Sequence, residues 1–241
     1  MSNKDAPNSK VVYADLDFSQ AKSVSHPVEF KTSVELKDLV PEQKDANLVD
    51  VGLVNGNKLL LNYTRDIISE LWQYDLQSGQ QVRRLLPDFV GTISGISGRR
   101  EDDEAFVYAT SYVSPGSTFR FTWQKDSAAR AEPNERLWLA TKVATINPED
   151  FVSEQIFFNS QDGTRVPLFV VRHKDTKLDG TAPCWLYAYG GFNIPITPSF
   201  SPWRMTWIAQ YGGVLVDVSA RGGGEYGIKV STAMSEPTFA A

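Results

Sequence analysis

The sequence is poor in the residues that build covalent and metal cross-links. It holds a single cysteine, Cys184, among 241 residues. No intrachain disulfide can form, and a reducing, cytoplasmic address is expected. Its two histidines, His26 and His173, sit apart from any cluster with metal-ligand spacing, so neither a metal nor a cofactor is expected. Positive charge is also short: 24 Lys and Arg against 29 Asp and Glu leave a formal net charge of -5. That sign is wrong for gripping a phosphate backbone, so nucleic acid is not an expected partner. No stretch approaches the roughly 20 apolar residues of a membrane span. The opening residues lack the apolar core of a secretory leader, and no membrane partner is expected. With 41% hydrophobic and 22% charged residues, the composition is that of an ordinary globular chain, which excludes wholesale disorder and collagen-like structure.

What is present in the first half is β-structure. Four strand-like runs fall at Leu48–Val54, Lys58–Thr64, Ser69–Asp75 and Gln80–Leu85. Asn55-Gly56-Asn57 separates the first pair and Gln77-Ser78-Gly79 the last, both hairpin punctuation. Leu59, Leu61 and Tyr63 share one face at the period of two that a strand requires. The pattern repeats at Gly91–Ile96, Glu104–Ser111, Ser117–Trp123 and Arg136–Val143, with Phe119, Phe121 and Trp123 alternating with polar neighbours. The two groups start about 43 residues apart, the period of a four-stranded propeller blade. A β-sandwich also uses short meandering strands and is the competing arrangement. Lys10–Phe18 and Val28–Leu36 read as the last two strands of an earlier blade, for about two and a half blades in all. So few blades leave open faces and strand edges, which predicts poor solubility or self-association.

Beyond Pro148 the pattern changes. Phe151–Asn159 and Arg165–His173 flank Gln161-Asp162-Gly163 and read as a hairpin. Pro183–Ala188 is a short apolar strand that runs into Tyr189-Gly190-Gly191-Phe192. Ser201 and Pro202 form a helix start. Trp203, Trp207 and Tyr211 recur at four-residue spacing and give that helix an apolar stripe, the kind of face that turns to a core. Gly212 suits its end, and Gly213–Ser219 is a buried strand. Strand, helix and strand predict a parallel pair.

Three motifs bear on chemistry. Gly222-Gly223-Gly224-Glu225-Tyr226-Gly227 formally matches G-x-G-x-x-G after a strand. The residues that follow leave no room for the rest of a dinucleotide fold, so tight turning is the better reading. Tyr189-Gly190-Gly191-Phe192 stands between a strand and a helix. In α/β-hydrolases the equivalent loop supplies half of the oxyanion hole, and a phenolic O–H there could meet a developing oxyanion. A plain turn with a packed tyrosine is the alternative. The third feature is an absence: no G-x-S-x-G nucleophile elbow occurs in these residues. Gly91-Thr92-Ile93-Ser94-Gly95 has its serine at the wrong offset. His26 falls in the blade region, and His173 at the end of a hairpin strand reads as a surface residue.

Trp185-Leu-Tyr-Ala-Tyr-Gly-Gly-Phe-Asn193 closely resembles a loop of the prolyl oligopeptidases. So do Tyr211-Gly-Gly-Val-Leu-Val and Arg221-Gly-Gly-Gly-Glu-Tyr-Gly227, while Ser160-Gln-Asp-Gly-Thr-Arg-Val-Pro167 resembles that family's first peptidase hairpin and Thr110-Ser-Tyr-Val-Ser-Pro-Gly116 a stretch near the end of its propeller. The resemblance implies a β-propeller covering an α/β-hydrolase domain, in cytosolic serine peptidases that cut short peptides after proline. It implies the oxyanion-hole role for Tyr189 and a substrate-cleft role for Phe192. The expected layout is a partial propeller over residues 1–147, the N-terminal part of an α/β-hydrolase domain over 148–227 and a divergent tail over 228–241. The expectation is a truncated serine-type prolyl endopeptidase without its catalytic triad and inactive by itself. A non-catalytic propeller-type binding module is the alternative.

Overall fold

The computed structural model describes residues 1–15, 35–125, 127–144 and 146–226. His26, Gly227 and the tail 228–241 lie outside the described residues. The chain opens with β1 (Val11–Tyr13) and β2 (Lys37–Val40), paired antiparallel. The second strand of the opening pair was expected at Val28–Leu36. Its described end, Glu35 and Leu36, is not in a strand, and pairing starts at Lys37, where Lys10 and Asp38 form an ion pair across the two strands.

The first complete blade is β3 (Asn47–Val54), β4 (Lys58–Arg65), β5 (Ile68–Asp75) and β6 (Gln81–Leu85), hydrogen-bonded in sequence order. The second is β7 (Thr92–Gly98), β8 (Glu104–Thr110), β9 (Ser117–Thr122) and β10 (Asn134–Ala140), also in sequence order. Asn55 and Gly56 take the left-handed conformation at the first hairpin (φ 43 and 72), as a tight two-residue turn requires.

β4 shows how the blades stack. Leu59, Leu61 and Tyr63 pack with Val11, Val40 and Leu48, whereas Leu60, on the opposite face, packs with Leu71, Val107 and Phe121 across the gap to the second blade. Both faces of one strand are therefore buried. A two-sheet sandwich would leave one face in water, so this double burial decides for stacked blades. Lys58 is fully buried in the same seam. Its ammonium donates to Asn55 Oδ1 (2.6 Å), Asn57 Oδ1 (3.1 Å) and the carbonyl of Ser127 on the second blade (3.0 Å). Burial pushes its pKa below the ordinary lysine value, and the three acceptors offset part of that desolvation.

The turn between β4 and β5 consists of Asp66 and Ile67, both at positive φ (45 and 63). For a β-branched residue that conformation costs about 1–2 kcal/mol. Ile67 is only 1% exposed, packed with Tyr112, Phe169, Met205, Ile208 and Leu215. Burying such a side chain contributes about 1.5–3 kcal/mol, enough to hold the turn. Of those neighbours Phe169 and Leu215 belong to the next sheet, Met205 and Ile208 to the helix packed on it, and Tyr112 to the loop after Thr110, so the blade tip is a plug in another core.

Asn147 caps a short 3-10 turn at Pro148–Asp150 by accepting from the Glu149 N–H (3.3 Å). β11 (Phe151–Asn159), β12 (Arg165–His173), β13 (Cys184–Tyr189) and β14 (Val214–Ser219) follow, in the spatial order β11-β12-β14-β13. β11, β12 and β14 pair antiparallel, while β13 and β14 run parallel from Cys184 opposite Val214 to Tyr189 opposite Ser219. Between them runs α1 (Pro202–Tyr211), closed by Gly212 in the left-handed conformation (φ 62). The described residues hold this one α-helix, so the region is directly a mixed four-stranded sheet with one crossover helix. Met205 and Ile208 carry its buried face. The expected stripe of Trp203, Trp207 and Tyr211 is a correction: Trp203 is 82% and Tyr211 68% exposed, and Trp207 alone is half-buried. Four-residue spacing identified a face, but the slimmer Met205–Ile208 face is the one that fits against Phe169 and Val171.

Candidate functional site

Tyr189 and Ser219 end the parallel pair side by side. Beyond them lies the carboxyl edge of the parallel strands, where open α/β sheets bind ligands. Two loops leave this edge and press on each other. A side chain at Gly190 would put its Cβ 2.2 Å from the Arg221 carbonyl oxygen and 2.6 Å from that of Ala220. Gly222, at φ 102, would bring a Cβ to 2.6 Å from the Gly190 carbonyl oxygen. The glycines of both motifs thus allow close approach to one another rather than to a dinucleotide.

Hydrogen bonds fasten the two loops. The Asn193 N–H donates to the Gly222 carbonyl (3.2 Å) and the Ala220 N–H to the Tyr189 carbonyl (3.0 Å). Glu225, 4% exposed, accepts the Ile196 N–H at Oε1 (2.9 Å), and the Ser219 hydroxyl donates to the Ile196 carbonyl (3.1 Å). Burial pushes the Glu225 carboxyl above its ordinary range, opposed by the Ile196 N–H. Arg221 pairs with Asp162 on the β11–β12 turn and reaches Thr164 Oγ1 (3.3 Å). The Thr164 backbone N–H, followed by the Arg221 guanidinium, holds the Asp162 carboxyl down to about 2.

The held loop presents two aromatic side chains. Tyr189 is half-buried. Its hydroxyl rests over Gly191, 3.6 Å from where a Cβ would stand. Among the described residues, no side chain or backbone group shares a hydrogen bond with it. Phe192, at φ 52, is 91% exposed. His173 belongs elsewhere. Val171 of β12 is opposite Leu215 near the start of β14, so His173 lies toward the opposite edge of the sheet, its ring edge-on to Phe151 at 5.4 Å. The structure therefore puts Tyr189 and Phe192 on one loop, with His173 away from it. Glu225 and Ser219, which grip both polar groups of Ile196, were not singled out in the sequence. The only cue was an acid inside a glycine-rich motif.

Gly190→Ala is expected to destabilise the chain by about 1–3 kcal/mol, because two backbone carbonyls must give way to one methyl group. Gly191→Ala, whose Cβ would meet only the Tyr189 hydroxyl and the ring carbon that bears it, at ordinary contact distance, is expected to cost much less. Thermal unfolding of the two variants side by side measures this, and equal melting temperatures would refute the close-approach account.

Residues 1–132 match the family described as prolyl oligopeptidase, N-terminal beta-propeller domain. Prolyl oligopeptidase A of Amanita bisporigera is 37% identical over 229 residues, covering 94% of this chain and 27% of that protein. The dual function macrocyclase-peptidase POPB of Galerina marginata is 36% identical over 226 residues, covering 94% of this chain and 28% of the relative. Among solved structures, prolyl oligopeptidase B from Galerina marginata, bound to a 35mer hydrolysis and macrocyclization substrate, aligns with a TM-score of 0.80 at 35% identity. That alignment covers 96% of this chain and 30% of the other. The chain thus spans less than a third of the length of these relatives. With the stacked four-stranded blades and the match over more than half of its residues, the chain belongs to the prolyl oligopeptidase family.

Proposed function

We propose that the chain is part of a serine-type prolyl endopeptidase that hydrolyses short peptides after proline. In this reading residues 1–147 are propeller and 148–227 open an α/β-hydrolase domain, of which β11, β12, β14 and β13 are the first strands. The free, exposed Cys184 fits a reducing, cytoplasmic setting.

The observation that carries the proposal is the Tyr189 hydroxyl. It stands at the carboxyl edge of a parallel strand pair, on a loop clamped by Glu225, Ser219 and Gly222, with no hydrogen bond among the described residues. A donor not committed to another described protein group is available to the oxygen of a tetrahedral intermediate, where charge develops. Phe192 then forms an apolar wall for the peptide beside the reacting bond.

The reading is tested by completing the domain. Residues 1–227 are grafted in place of the matching segment of a full-length relative, and a fluorogenic proline-containing peptide is assayed. The graft is expected to cleave after proline. Phe192→Ala in that graft removes a wall seen equally by substrate and transition state, so KM rises severalfold while kcat changes little. A fall in kcat at constant KM would refute the wall assignment. A correctly folded graft with no post-proline cleavage would refute the functional reading.

A further inference from the structure

We infer that Asp66 and Tyr226 are positioning residues, through which the tip of a propeller blade sets the loop that carries Tyr189. The inference extends the functional reading above, but the mechanical link stands on its own geometry.

The β4–β5 turn reaches out of its blade into the neighbouring sheet. Ile67 is buried there with Tyr112, Phe169, Met205, Ile208 and Leu215. The Asp66 carbonyl accepts from Gln155 Nε2 on β11. The Asp66 carboxylate is left facing the glycine-rich loop, and the Tyr226 hydroxyl donates to its Oδ1 at 2.8 Å. Burial pushes the Tyr226 phenol above its ordinary pKa, and the bond to Asp66 pushes it further the same way. It therefore remains a donor across the physiological range.

Tyr226 directly follows Glu225, whose carboxylate holds the Ile196 N–H, and lies four residues after Gly222, whose carbonyl holds the Asn193 N–H. The chain of contacts is continuous: blade tip, Tyr226, Glu225 and Gly222, then Ile196 and Asn193 on the Tyr189 loop. Asp66 and Tyr226 are 160 residues apart in sequence, and one bond between them fixes the far end of the clamp to the blade. Neither residue touches the reacting atoms in this arrangement. Each acts by holding the 220–226 loop in the register that grips the 190–196 loop.

The test is amide hydrogen exchange on the full chain, followed peptide by peptide. Tyr226→Phe, which keeps the ring, and Asp66→Ala are each expected to speed exchange over residues 190–196 about fivefold, the effect of losing one hydrogen bond from local opening. The double variant is expected to go no further, because both changes remove the same bond. Asp66→Asn keeps an acceptor oxygen and is expected to stay near the parent. Exchange in β5 should be unchanged throughout. Unchanged exchange over 190–196 in Tyr226→Phe, or additive effects in the double variant, would overturn the inference. In the completed enzyme Tyr226→Phe should lower kcat severalfold at near-constant KM. If exchange responds and kcat does not, the link stands and the Tyr189 assignment falls. If exchange does not respond, the link falls whatever kcat does.

Discussion

Replacing Tyr189 with phenylalanine in the completed enzyme is expected to lower kcat about 100-fold and leave KM nearly unchanged. The substitution removes one O–H and little volume. It leaves intact the backbone bond from Ala220 to the Tyr189 carbonyl. A hydroxyl with no partner among the described residues gives up no bond to the protein when it is removed, so its loss should be felt mainly once negative charge has formed. Loss of one such donor typically costs on the order of 3 kcal/mol. A second donor from the nucleophile turn would remain in a full-length scaffold, so activity should fall without vanishing. The same variant should melt close to the parent. If kcat stays within about twofold of the parent, roughly 0.4 kcal/mol, the oxyanion assignment is wrong and the ring is simply packed against the loop.

How much of this was readable from the residues depends on the range of the interactions involved. The two complete blades were legible because their cues are local. Asn55-Gly56 marks the first hairpin, and the alternation of Phe119 and Phe121 reports the face that meets the other blade. The parallel pair was legible for the same reason, since strand, helix and strand follow one another within a few dozen residues. Ile67 was not. Its neighbours Tyr112, Phe169 and Met205 are distant in sequence, and a turn of Asp and Ile carries no sign that the isoleucine plugs another sheet. The clamp was hidden likewise, because Glu225 meets Ile196 across 29 residues and Tyr226 meets Asp66 across 160. On α1, spacing alone could not decide between two apolar faces. The sheet it packs on chose the one bearing Met205 and Ile208.

Asp217 shows a long-range interaction whose energy can be read out by pH. It interrupts the apolar run of β14, is 1% exposed, and pairs with Arg204 of α1 at 2.7 Å. Burial raises the Asp217 carboxyl above its ordinary range, and Arg204 opposes the rise, with the nearby Tyr112 hydroxyl helping. Its other oxygen, Oδ1, has no well-formed partner among the described residues. A carboxyl whose folded-state pKa is raised contributes stability below its unfolded pKa and loses it as pH climbs through the folded value. Arg204→Met removes the cation that limits this loss. The variant is therefore expected to lose about 3–5 kcal/mol at neutral pH, the usual cost of stranding one member of a buried pair. The gap to the parent should narrow steadily as the pH falls and Asp217 takes up its proton. Adding Asp217→Asn should recover most of the loss, because no charge is then left in the core. Denaturant unfolding of the parent, the single variant and the double variant across the acid-to-neutral range measures all three. A penalty that is the same at every pH, and that Asp217→Asn does not relieve, would mean that Arg204 matters through its packing on the Tyr187 ring, 5.8 Å from its guanidinium, and that the buried charge is held by other means.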